Sequence, residues 1–346
     1  MRSTPGAKST RHGPVLSLMA AAAASAQHVD FASSCAPTVK PTLNDGLTLL
    51  YAFEYQTARS TFDRIIASDA QCCIAYFFAA SSFTTPIWAY ISDADLASAN
   101  AYSVNATACA LHAPVTAREA AYIGALAKYA NTSASLTPST RLQLYADALN
   151  ATVYVPYAAT DEHAAILYGL ALLGVGYYAE AEPADGWPHL LAAARIEEAV
   201  LAPGRNPDAP GALHYAVHSY DQPSLATRAL GAARRFAAVA TLPVATLGGA
   251  VPHQLHMPSH IYVDLGLWGE AVRSNVASLD AAWGEGGRTH DWYHGSFFLQ
   301  VLRRHRLRLR LRLRLRLRLR LRLRLRLRAP SHRMHVHTRS RLIHAP

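Results

Sequence analysis

Acidic residues are missing from the end of this chain. None of the 23 Asp and Glu lies beyond Leu302, whereas 17 of the 33 Lys and Arg do. The formal net charge of +10 is therefore a property of the C-terminus. Between residues 27 and 302 stand 13 basic against 23 acidic residues. That body is acidic, which excludes a basic nucleic-acid footprint and any specific nucleic-acid partner read from charge. Long apolar runs are also scarce. "AAILYGLALLGVGYYA" (164–179) falls short of the roughly 20 residues a bilayer needs, and "QCCIAYFFAASSFTTPIWAYIS" (71–92) is broken by Pro86 and by polar residues. Both are read as buried helices, and no transmembrane helix is expected. Chemical motifs are missing too: no G-x-S-x-G elbow, no phosphate loop, no H-E-x-x-H and no C-x-x-C occurs.

Cysteine is limited to four residues, Cys35, Cys72, Cys73 and Cys109. An oxidising compartment would allow one or two disulfides among them, with three full pairings open and a Cys72–Cys73 bridge the least favoured. In a reducing one, Cys72, Cys73 and Cys109 would serve as small apolar helix residues. The N-terminus, "MRSTPGAKSTRHGPVLSLMAAAAASAQ", has scattered positive charge, an apolar run and Ala24-Ser25-Ala26. We read residues 1–26 as a secretory signal peptide, with an organellar transit peptide as the alternative. The sequons at Asn105, Asn131 and Asn150 agree with the secretory reading.

What the chain does have is Ala, Leu and Tyr at three- and four-residue spacing from 43 to 302, with little β-branched alternation, which predicts an all-α domain. Breaks are expected at 82–86, 112–114, 131–140, 181–188, 202–211 and 242–252, where Pro, Gly, Asn and Ser cluster. Residues 27–42 form a preceding segment. A 34-residue helical-hairpin period also emerges, with Gly46 as a small position followed by Ala58 and Phe62. A second copy reads Ser259, Tyr262, Gly266 and Ala271, with Asn275 in place of the aromatic.

These offsets match tetratricopeptide repeats. The blocks "LNDGLTLLYAFEYQTARSTFDRIIASDAQCCIAYF", "EAAYIGALAKY", "DAPGALHYAVHSYDQPSLATRAL" and "HQLHMPSHIYVDLGLWGEAVRSN" resemble a family of tetratricopeptide-repeat proteins over about residues 43–302. The resemblance implies a right-handed superhelical solenoid and no known reaction. Beyond it, residues 303–346 hold an unbroken Arg-Leu alternation from Arg306 to Arg328. We read this tail as a low-complexity expansion, expected to lack order and, if made, to bind polyanions without specificity.

Seven of the twelve histidines before the tail fall between 214 and 294. His214 and His218, His256 and His260, and His290 and His294 are each four apart, one helical turn on one face. Four neutral imidazoles from His214, His218, His256 and His260, with His253 as a spare ligand, would suit Zn²⁺ or another divalent metal. Against this, Pro258 is expected to start a helix and leave His256 in the loop before it. Asp221 and Asp264 are the nearest carboxylates to orient the rings. Tyr215 and Tyr262 are candidate binding or packing residues. The favoured expectation is a scaffold that binds a protein or peptide partner, with no cofactor and no catalytic residue. The alternative is a metal-binding or hydrolytic protein.

Overall fold

A computed structural model describes residues 29–87, 90–179, 187–284, 292–301 and 303. The chain divides into two units, Met1–Phe297 and Phe298–Pro346. The expected leader and Arg-Leu tail lie outside the described residues, as does His290.

The first unit is built from helices, and no β-strand occurs among the described residues. In chain order they are α1 (Lys40–Tyr51), α2 (Tyr55–Ser68), α3 (Cys73–Ser81), α4 (Asp93–His112), α5 (Ala117–Tyr129), α6 (Pro138–Leu149) and α7 (Glu162–Ala179). A π-helical turn at Asn150–Tyr154 extends α6. The chain continues with α8 (Pro188–Val200), α9 (Pro210–Ser219), α10 (Ala226–Val239), α11 (Pro252–His256), α12 (Pro258–Asp264) and α13 (Trp268–Gly284). Residues 292–301 are helical as well. None of the described helices is long and apolar enough to cross a membrane.

The starts reflect local chemistry. Prolines occupy the first turn of α6, α8, α9, α11 and α12, where a missing N–H costs nothing and φ is already helical. Thr116 and Glu119 close a capping box on α5. Glu119 also accepts from the Ser34 amide at 2.9 Å, which ties the N-terminal segment to that helix.

Consecutive helices pack as neighbours, and the core runs from Phe31 and Val39 through α1, α3, α5, α7 and α9. At the first hairpin a Cβ on Gly46 would stand 2.6 Å from the Phe62 ring, so only glycine lets α2 approach α1 this closely. Two disulfides, Cys35–Cys72 and Cys73–Cys109, anchor the N-terminal segment to α3 and α3 to α4. Bridges of this kind are at home in an oxidising compartment. Arg118 pairs with the buried Asp161 at 2.7 Å, and Tyr122 donates to the same carboxylate oxygen at 2.7 Å.

Candidate metal centre

Six histidines converge where α9, α11, α12 and residues 292–297 meet. His214 and His218 project from α9, His253 and His256 from α11, His260 from α12, and His294 from the last helical segment. Four are nearly sealed from solvent, at 0% for His214, 3% for His218, 3% for His253 and 1% for His256. The His260 side chain keeps 14% of its surface exposed, so solvent reaches the group from that side.

The six sort into two trios. One ligand atom from each of His214, His218 and His253 lies within 4.8 Å of the others, and the same holds for His256, His260 and His294. The four-histidine set expected from the sequence is thus split between the trios. His253, expected as a spare, is a full member of the first, and His294, absent from the expected set, completes the second. The trios adjoin: ring centroids are 6.0 Å apart for His218–His260, 6.1 Å for His253–His256 and 6.2 Å for His253–His294.

One local expectation is corrected. Pro258 does not leave His256 in a loop, because Met257 keeps helical angles, φ −53° and ψ −41°, between α11 and α12. The helical rotation runs through the proline, so His256 and His260 stay one turn apart on one face. Pro258 falls in the first turn of α12, where a missing N–H costs nothing.

Hydrogen bonds fix the tautomers. Asn275 on α13 donates its Nδ2 to the Ala271 carbonyl at 2.8 Å, which turns its Oδ1 towards His256 Nδ1 at 2.7 Å. His256 therefore carries its proton on Nδ1. His260 Nδ1 lies 2.8 Å from Asp221 Oδ2 and donates to it. The two Nε2 atoms then face each other at 3.0 Å. In neutral rings this sets lone pair against lone pair. In the other trio His214 Nδ1 donates to the Tyr51 carbonyl at 2.6 Å, and its Nε2 lies 3.1 Å from His218 Nε2. A proton on His218 Nε2 satisfies that pair and leaves buried His218 Nδ1 without a hydrogen-bond partner among the described residues.

Electrostatics favour the neutral ring at His214, His218 and His256. Burial, reinforced by His253, holds His214 well below the usual imidazole range against the opposing pull of the Tyr51 carbonyl. Burial and the neighbouring histidines, His214 first, do the same for His218. For His256 burial dominates, then His260 and His294, with the Asn275 bond opposing. Neutral imidazoles with a committed Nδ1–H and an Nε2 lone pair to offer are the form in which histidine binds metals.

The walls of the two trios differ. Phe53 underlies the first, with centroids 4.5 Å from His214, 5.6 Å from His218 and 5.7 Å from His253, and Phe236 stacks on His214 at 5.6 Å. Phe53 holds a left-handed backbone, φ 62°, a strained conformation for a residue with a Cβ. The second trio borders Asp221, and Asp264 is close enough to that carboxylate and to His260 for its own pKa to shift. Asp264 is raised, by burial first and then by Asp221.

Tyr215 and Tyr262 are both buried, at 0% and 4%, among helices rather than on an open face. Tyr215 packs on Tyr51 and Phe53. Elsewhere, Arg118, Asp161, His163 and Asn206 line an open polar recess. No known family, curated protein or solved structure matches this chain.

Proposed function

We propose that this protein binds a transition-metal cation of the zinc or copper class through His256, His260 and His294. The observation that carries this reading is the His256–His260 contact, two Nε2 atoms 3.0 Å apart whose Nδ1 atoms are already committed to Asn275 and Asp221. Nitrogens held at ~2.0–2.1 Å from one ion stand ~3.0–3.4 Å apart at bond angles from ~95° to the tetrahedral value. A cation at that point turns the repulsion into two bonds. One extra proton, balanced by Asp221, would also relieve this pair. It would not account for the third imidazole, His294, with its ring 4.4 Å from that of His256.

Asn275 and Asp221 act as the outer layer that orients ligating rings. The helical hairpins, including the right-handed tetratricopeptide-like solenoid expected from the resemblance, serve in this reading as a frame for the ion rather than as a partner-binding scaffold. Secretion through the leader would deliver the ion-binding body to a compartment where its two disulfides persist.

The test is elemental analysis of the full chain, purified without a metal-affinity column and dialysed, beside a His256→Ala, His260→Ala variant. The tail carries His305, His332, His335, His337 and His344, so the difference between the two proteins is the readout. About one more equivalent of zinc or copper in the wild type is expected. Equal metal in both overturns the proposal.

A further inference from the structure

Three features bear on what the histidines take up. The two trios adjoin, with rings of one within 6.0–6.2 Å of rings of the other. All six side chains are imidazoles, so the ligand set brings no negative charge of its own. The inner trio is the drier: His214, His218 and His253 are buried, and the aromatic rings of Phe53 and Phe236 pack against it.

An ion bound there must leave water for a site with only neutral donors and aromatic walls. The desolvation penalty rises steeply with charge, so a monovalent ion is favoured over a dication at equal ligand number. Imidazole is a good donor to copper, which has a stable monovalent state that three nitrogens can hold. Zinc has no such state and would bring two positive charges into each trio.

We propose that the two trios form a binuclear centre that holds two cuprous ions, one on His214, His218 and His253, the other on His256, His260 and His294. This deepens the metal-binding reading above and rests on it. His260, partly exposed and backed by Asp221, marks the entry side, so the outer position fills before the inner. The inner ion takes up the Nε2 lone pairs of His214 and His218, and the proton that His218 Nε2 otherwise carries moves to His218 Nδ1, so that the ring stays neutral. Tyr51, through its carbonyl, orients His214 for that ion. Binding involves no change in the oxidation state of copper.

The experiment is an anaerobic titration of the full chain with Cu(I), using the bathocuproine complex as the coloured probe that surrenders the metal. Wild type is expected to withdraw two ions more than a variant with all six histidines replaced by Gln. His253→Gln should lose one of them, and His294→Gln the other, with helicity and melting temperature confirming that each variant folds. If the variants misfold, X-ray absorption of wild type loaded with two equivalents decides, since three imidazole scatterers per copper are expected. One ion per chain, lost whole in either variant, overturns the binuclear centre and leaves the single-site reading standing. No ion above the six-fold variant overturns both. Two equivalents of zinc bound in preference to Cu(I) overturn the copper assignment alone.

Discussion

At the residue scale, metal binding depends on which nitrogen of each histidine carries the proton. Asn275 fixes His256 because its own amide is pinned by Ala271. Replacing Asn275 with Ala should lower affinity at the outer position ~10–100-fold, the usual cost of removing an orienting partner, with no loss at the inner one. Competition against a coloured chelator reads this directly, and unchanged affinity would mean that Asn275 does not orient a ligand. Asn275 was visible in the sequence only as a departure from the repeat, since an amide stood where an aromatic was expected. His294 was visible as half of a histidine pair. Nothing in the chain showed that it folds back onto His256, because that contact depends on where the final helical segment lies.

A second residue offers a stability test away from the histidines. Glu197 on α8 is fully buried, neither carboxyl oxygen has a hydrogen-bond partner among the described residues, and a Cβ on Gly169 would stand 2.0 Å from Oε1. Burial raises its pKa well above the usual value. The folded protein must therefore keep a proton that the unfolded chain releases above pH ~4.3. Stability from this group is full below that pH and is lost as pH rises. Glu197→Gln should melt at least ~2 °C higher than wild type at pH 7, the effect of ~1 kcal/mol in a domain this size, and the gain should vanish towards pH 4. A gain independent of pH would contradict the reading.

At the scale of elements, the helical periods and the prolines told most of the story. Breaks expected at 131–140, 202–211 and 242–252 are the segments before α6, α9 and α11, each opened by a proline. Gly46, Ala58 and Phe62 were legible because close helix approach demands a small residue opposite a large one, and Ala58 and Phe62 are fully buried. The passage through Pro258 was not legible, since proline marks a possible helix start without saying whether the helix before it has ended. The continuity is testable. One alanine inserted between Met257 and Pro258 rotates α12 by ~100° about the helix axis and removes His260 from the face of His256. Binding at the outer trio should be lost and His214, His218 and His253 left in place. Retained outer binding would mean that the α11–α12 register does not set the site.

For the whole molecule, the sequence located charge, the cysteines and the helical class. The repeat also predicts the helix of His214 and His218 beside that of His260, in equivalent places of adjacent hairpins; what it does not show is the division into two trios, which depends on packing through α10 and on the loop at 240–251. Thr246 anchors that loop to Asp45 of α1 through its amide at 3.1 Å and its hydroxyl at 2.9 Å. The buried histidines give the metal-free protein a characteristic acid response. With His214, His218 and His256 held below their ordinary pKa, the unfolded chain binds more protons than the folded one below pH ~6.5. Stability is full above that pH and falls as pH drops. Metal should steepen this response, because ligated imidazoles take up no proton until the cation leaves, so the loaded fold binds still fewer protons than the metal-free one. The melting temperature of copper-loaded protein should therefore exceed that of metal-free protein most at pH 7.5 and approach it towards pH 5, and a gap that stays constant would count against bound imidazoles.

The most direct measurement is anomalous diffraction at the copper and zinc absorption edges from crystals of the full chain given each metal. The predicted result is a copper peak bonded to the Nε2 atoms of His256 and His260 and to the His294 ring, with a second among His214, His218 and His253. A metal-soaked crystal with no peak among these rings, and the His256–His260 contact still near 3.0 Å, would show a proton rather than a metal between them.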